Sequence, residues 1–152
     1  MKIEYLADHT HFIPTLARWF HAEWGYLYPE RTVEILNGLV AERANRDRIP
    51  LTLVAIDGDE VVGTVCLKVN DMSIRPELAP WLACLYVDEN HRRQGIGEAL
   101  VAAIEKESAR LGVNKLYLFT PSEEKFYAKR GWSVRERVNY LHCDVTVMEK
   151  RL

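Results

Sequence analysis

The sequence contains no apolar run of 18 residues, so it offers no candidate membrane-spanning helix. It is poor in cysteine. Cys66, Cys84 and Cys143 are odd in number, far apart and not spaced as metal ligands, which argues against a disulfide framework and a metal site alike. Two of them fall in apolar runs, where a free thiol behaves as a small hydrophobe. His9 and His11 lie close together, but no second pair supports a metal site, and none is expected. An excess of charge is lacking too. The net charge is −2, so no broad attraction to nucleic acid or an anionic membrane is expected. Met1-Lys2-Ile3-Glu4 is too acidic and alternating to open a signal peptide, and a cytoplasmic location is the default expectation. Repeats, low-complexity tracts and linkers are also missing. The 152 residues therefore read as a single domain, 1–152, large enough for a self-sufficient core.

Apolar spacing supplies the elements. Lys2 to Ala7 alternates as a strand does. Ile13, Leu16, Ala17, Phe20 and Trp24 form one face of a helix that Gly25 and Pro29 end. Thr32 suits an N-cap, and Val33, Leu36, Val40 and Ala44 repeat the helical spacing. Leu51–Ile56 and Glu60–Val69 are β-rich runs joined by Asp57-Gly58-Asp59, a hairpin signal. Asp71 to Pro80 reads as a loop. Trp81–Val87 is continuously apolar, as a strand buried on both faces should be. A helix over 96–111 follows, stopped by Gly112. Lys115–Phe119 is the next strand. Thr120-Pro121-Ser122-Glu123 predicts a capped helix start, with Pro121 in the first turn and Glu123 closing a capping box. Trp132–Tyr140 and His142–Met148 close the chain as an antiparallel pair. Strand 81–87, helix 96–111 and strand 115–119 make a βαβ crossover, so those two strands should be parallel. The expected fold is α/β: a mixed, mostly antiparallel sheet with a central parallel pair and helices on both faces.

Between strand 81–87 and its helix lies Arg92-Arg93-Gln94-Gly95-Ile96-Gly97. A basic, glycine-containing turn that opens a helix presents several backbone N–H groups and about half a positive charge to one point. That is an anion site, most naturally for phosphate. A Walker A loop would need Gly-Lys-Ser or Gly-Lys-Thr, which is absent. A dinucleotide fingerprint would need a third glycine where Leu100 stands. Both absences disfavour a nucleotide-binding switch.

Arg-x-x-Gly-x-Gly after an apolar strand resembles the pyrophosphate loop of the GNAT superfamily, the acetyl-CoA-dependent N-acetyltransferases. Phe126-Tyr127-Ala128-Lys129-Arg130-Gly131-Trp132 resembles a second family segment. The element order matches that fold along nearly the whole chain. Asp71 to Arg75 and Pro80-Trp81-Leu82-Ala83 further resemble one bacterial group within it, a likeness that identifies relatives and no substrate. The resemblance implies acetyl-CoA as co-substrate. The amides of Arg93, Gln94, Gly95, Ile96 and Gly97 would receive its pyrophosphate, with help from the Arg92 and Arg93 side chains. In the family the strand before the loop splays from its parallel neighbour near a bulge. Leu85, Tyr86 and Val87 would then pair with the pantetheine arm, and Leu85 or Tyr86 would offer an N–H to the oxyanion. Phe126 and Thr120 would border the cofactor, Thr120 standing where many members have Asn.

Tyr127 matches the tyrosine that serves the leaving thiolate. The strand carries no carboxylate, so the base is Glu23, Glu30, Asp71 or Glu77 from nearby loops, or a water chain. Acceptor candidates are Trp24, Tyr26, Tyr28, Arg75, Trp81 and Tyr140. Aromatics and one arginine could hold an amine that bears a carboxylate elsewhere. The partner is then a small-molecule or peptide amine, and the protein a monomer or homodimer. A second reading is a non-catalytic acetyl-CoA-binding regulatory module.

Overall fold

Seven strands build the molecule's one sheet, in the order β1-β2-β3-β4-β5-β7-β6. The computed structural model describes residues 1–152. β1 (Lys2–Tyr5), β2 (Leu51–Asp57), β3 (Glu60–Lys68) and β4 (Trp81–Val87) pair antiparallel in sequence. β5 (Lys115–Thr120) pairs antiparallel with β7 (Cys143–Arg151), and β6 (Ser133–Tyr140) lies outside β7 as an edge. β4 and β5 are the parallel pair. The expected sheet is thus present, β1 being shorter and β7 longer than the sequence pattern indicated.

Helices cover both faces. α1 (Ile13–Trp24) and α2 (Val33–Glu42) lie on one; Leu16, Phe20, Leu36 and Val40 pack on Val54, Ile56 and Val61. α3 (Ile96–Arg110) lies on the other, where Leu100, Val101 and Ile104 meet Leu53, Val62 and Val65. The strand period of two sends alternate residues of β2 to opposite faces. That is why its stretch Leu53–Ile56 is continuously apolar. Gly63 of β3 lets α3 approach closely: a Cβ there would stand 3.0 Å from Leu100 and 3.2 Å from Ile96. Thr32 caps α2 as expected, its side chain accepting from the Ile35 N–H at 3.1 Å. No helix is long and apolar enough to cross a membrane.

Two expectations need correction. α4 spans only Glu124–Ala128 and begins after Glu123, so Pro121 is not in its first turn and no capping box forms. Thr120 instead ends β5, and its Oγ1 accepts from the N–H groups of Glu123 (3.0 Å) and Ser122 (3.4 Å). A hydroxyl turn has taken the chain in place of the helix start, a competition built into Thr. β4 is also not buried on both faces throughout. Trp81 to Ala83 are buried, whereas Cys84 to Val87 are half-exposed.

Candidate active site

The exposure of β4 has a local cause. Cys84 adopts φ +54°, and the register with β3 slips between Thr64 and Cys66, so a bulge bends the strand. Its pairing with β5 is confined to Trp81 opposite Tyr117. Beyond that point the strands diverge, and the β5-facing peptide groups of β4 have no strand partner. Buried backbone groups of this kind require one, and a ligand can supply it. The carbonyl of Val87 is an exception, because Arg92 Nε donates to it at 2.9 Å.

The fork opens into a cleft of about 850 Å³. Its walls are β4 from Leu82 to Leu85, the end of β5 with residues 120–123, the α1–α2 connection, residues 68–73 and the tip of the β6–β7 hairpin. Tyr127 of α4 is in the lining, 7% exposed, with its ring edge-on to Phe126 at 5.0 Å and to Trp132 at 6.1 Å. Burial pushes its phenol above the usual range near 10, and Glu123 pushes the same way. Tyr127 is therefore a neutral O–H donor at working pH. Cys66, fully enclosed, is pushed up to about 12 by burial and is no nucleophile.

Past the end of β4 the basic loop lies on the surface, exposed from Arg92 to Gly95. Arg93 has φ +64° and Gly95 φ +80°, and Gly95 is the N-cap of α3 without any side-chain cap. The first-turn N–H groups of α3 thus have no intrahelical acceptor. Left-handed residues in such a loop turn successive N–H groups toward one point, a nest for an anion. Gly97 carries no positive φ, and a Cβ there would sit 3.6 Å from Phe126, an ordinary contact. The protein's own packing does not demand glycine at 97. Its absent side chain leaves the backbone of the helix start uncovered beside Phe126 and Val87. Arg92 also sits over the Tyr86 ring at 5.4 Å, which with the bond to Val87 fixes its side chain along β4.

The proposed acceptor residues are divided by the structure. Trp24, Tyr26, Tyr28 and Tyr140 all line the cleft. Tyr140 is buried, and its hydroxyl accepts from the Ser73 N–H at 3.2 Å. Trp81 is fully buried with Nε1 donating to Leu78 O, so it is a core residue. Arg75 is outside the lining, held by Glu136 at 2.6 Å. Among the carboxylates Glu23, Glu30 and Asp71 line the cleft and Glu77 does not; Asp71 is paired with Lys68 at 2.9 Å. Sequence reasoning missed Arg43, Arg31, Lys68 and Glu123, which also face the cleft. Arg43 ends α2, and its helical spacing with Leu36 and Val40 was the available signal.

A forked parallel pair, an N–H nest past the end of one strand and a buried tyrosine in the cleft define the class of acyl-CoA-dependent transferases. The family model described as the acetyltransferase (GNAT) family matches residues 13–132, and the chain belongs to that family. It is 26% identical over 102 residues to an amino-acid acetyltransferase of Pasteurella multocida (strain Pm70). The match covers 65% of the chain but 22% of that protein, so the chain spans about a fifth of the relative's length. Among solved structures, an aminoglycoside 6'-N-acetyltransferase complexed with coenzyme A superposes with TM-score 0.77 and 22% identity, covering 99% of this chain and 97% of that one. A ribosomal-protein-alanine N-acetyltransferase of Brucella melitensis gives 0.78 and 20% identity over the whole of both chains. At these identities the likeness establishes the fold.

Proposed function

We propose that the protein transfers the acetyl group of acetyl-CoA to a primary amine by direct attack through a tetrahedral intermediate. The observation that carries this reading is Tyr127 set in the wall of the fork between β4 and β5. Family membership and the nest at 93–97 support the co-substrate. The loop N–H groups and Arg93 hold the pyrophosphate, and the open edge of β4 at Leu85 and Tyr86 pairs with the amide-bearing arm.

The neutral amine attacks the thioester carbonyl carbon, forming the C–N bond. A β4 N–H, from Leu85 or Tyr86, donates to the oxyanion. Collapse breaks the C–S bond. Tyr127 donates a hydrogen bond to the departing sulfur. Complete transfer of its proton would leave a buried phenolate, which the raised phenol pKa disfavours against a thiol near 8.5. The amine's surplus proton ends on the thiol, giving the N-acetyl product and free CoA. Glu23, Glu30 or water from the cleft mouth accepts it on the way, since Asp71 is engaged by Lys68. Cytoplasmic location remains the expectation from the sequence.

The test is thiol release from acetyl-CoA across an amine panel, with product mass confirmed. The expected product is the amine with one N–H hydrogen replaced by acetyl, formed in equal amount to the thiol released. Tight acetyl-CoA binding without release from any amine would favour the regulatory-module reading.

A further inference from the structure

The cleft contains a charge that the protein does not compensate. Arg43 is 9% exposed, the most enclosed cationic side chain of the cleft. Its one hydrogen-bonding contact is Nη1 to Cys84 Sγ at 3.7 Å, a poor acceptor. No carboxylate lies within ion-pair distance of it. Arg46, Arg75, Arg110, Arg130, Arg135 and Arg137 each have one. An enclosed guanidinium without a partner is costly to the fold. Its free nitrogens are not sealed in, because Trp132 Nε1 is the one fully buried side-chain polar atom left without a bond. They open onto the cleft.

The surroundings point the same way. Burial dominates at Cys84 and holds its thiol neutral, but the charged groups that act on it are mostly cationic: Arg43, Lys68 and Arg31 against Asp71. Lys68 and Asp71 neutralise one another at 2.9 Å. Arg31 is stacked on Tyr28 at 4.0 Å. The cleft as a whole also carries Glu23, Glu30 and Glu123, so the positive excess is confined to the immediate surroundings of Cys84, where Arg43 has no carboxylate partner. Cys84 is the bulge residue of β4, next to Leu85.

We infer that Arg43 binds a carboxylate of the acceptor, so that the substrates are small amines of amino-acid type. This rests on the acetyl-transfer reading and deepens it. A guanidinium takes a carboxylate through two parallel N–H bonds, which fixes orientation as well as position. Because Arg43 touches Cys84 and the attacked carbonyl would lie by Leu85, carboxylate and amine belong to one small molecule. The arginine that sequence reasoning sought for this task at Arg75 is held by Glu136; of the two cleft arginines without a carboxylate, Arg31 is stacked on Tyr28 and Arg43 is the more enclosed.

The experiment uses the protein saturated with CoA and matched probes: L-amino acids, the corresponding L-amino acid amides, and the carboxylate-free diamine putrescine. Binding is read from melting temperature and turnover from thiol release with acetyl-CoA. The acids should bind and turn over at least about tenfold better than their amides. Arg43→Met should erase that preference and leave CoA affinity intact. Its melting temperature should hold or rise, since an unpaired enclosed charge is removed. Arg43→Lys should keep part of the preference. The inference is overturned if no acid in the panel shifts the melting temperature, if amides or putrescine do as well as the acids, or if the preference survives in Arg43→Met. The wild-type comparison decides even if a variant does not fold. Acids that bind preferentially without any thiol release would leave the carboxylate site standing and remove the acetyl-transfer reading instead.

Discussion

The two halves of the proposed site are made differently. The proposed coenzyme half is built from backbone: the bulged edge of β4 and, beyond the cleft lining, the left-handed residues Arg93 and Gly95 and the uncapped start of α3. It occupies one stretch, residues 81–97, with α4 closing it. The acceptor half is built from side chains that four separated segments bring together: Trp24 and Tyr28, Arg43, Lys68 and Asp71, and Tyr140. A backbone site needs glycine, left-handed turns and a helix start at fixed spacing, so it can be written in a short motif. A side-chain site depends on long-range packing and leaves no such mark. It is also free to vary the ligand without disturbing the coenzyme half.

Perturbing the junction of the halves should have the largest effect. Tyr127→Phe keeps the ring packing against Phe126 and Trp132 and removes the hydroxyl. Turnover should fall by about 10²-fold, the scale of losing one hydrogen-bond donor to charge that develops in the transition state. Acetyl-CoA affinity and melting temperature should change little, because the lost interaction forms mainly in the transition state. The raised phenol pKa adds a second readout. A group whose folded pKa lies above its unfolded value near 10 stays neutral through the assay range. Any alkaline limb of kcat below pH 9 therefore belongs to another group and should persist in Tyr127→Phe. The stability linked to this tyrosine is present below pH 10 and is lost as pH climbs from there toward the folded pKa. Turnover within twofold of wild type, with chemistry rate-limiting, would reduce Tyr127 to a packing residue.

Next in size is a change confined to the coenzyme half. Gly97→Val has no positive φ to strain and meets Phe126 at an ordinary distance, so folding should tolerate it. The new side chain stands over the helix start, and acetyl-CoA affinity should drop by about tenfold or more, each tenfold being about 1.4 kcal/mol. Gly95→Val should weaken binding too, but φ +80° adds about 1–2 kcal/mol of strain and a lower melting temperature. Calorimetric titration beside thermal melting separates the two. Unchanged affinity in a folded Gly97→Val protein would move the pyrophosphate elsewhere.

How much of this was readable beforehand follows from the same contrast. The parallel pair, both helical faces and the loop were legible because period-two and period-3.6 patterns and glycine spacing are local. The bulge at Cys84 was expected only as a family trait; nothing in Trp81–Val87 marks which residue bends. Thr120 was misread because one hydroxyl can cap a helix or close a turn after a strand, and only packing chooses. Arg75 and Arg43 look alike in sequence. One meets Glu136, 61 positions away, and the other meets no carboxylate at all. That difference is set by the fold.

The two loop arginines sharpen the comparison within the coenzyme half. Arg92 is tied to Val87 and Tyr86, whereas Arg93 is exposed and has no ion pair. Arg93→Ala should raise the Michaelis constant for acetyl-CoA by up to about tenfold, as loss of a charge-assisted bond does. The effect should shrink as salt is added, since an exposed charge is screened within about 8 Å at physiological ionic strength. Arg92→Ala should act more through the strand end, with a salt-independent loss. Equal behaviour of both variants at low and high salt would mean that only the loop backbone binds.

The smallest effect should come from the far rim of the acceptor half, and it tests whether the halves are separable. The β6–β7 turn is Leu141-His142, both with positive φ, 51° and 63°. Two-residue hairpin turns of this shape favour Asn-Gly, because Asn tolerates and Gly freely adopts the left-handed region. Leucine and histidine there cost about 1 kcal/mol each. Leu141 also lines the cleft, so the strained residue contributes a wall. The double substitution Leu141→Asn with His142→Gly should therefore stabilise the fold by about 1 kcal/mol, a rise of a few degrees in melting temperature for this chain length. The Michaelis constant for the amine should rise severalfold as an apolar wall is lost, while that for acetyl-CoA stays within error. A stabilised variant with both constants unchanged would mean that the turn's strain serves no acceptor. A shift in the acetyl-CoA constant would show that the hairpin tip reaches the coenzyme half, and that the division into two independently built halves is wrong.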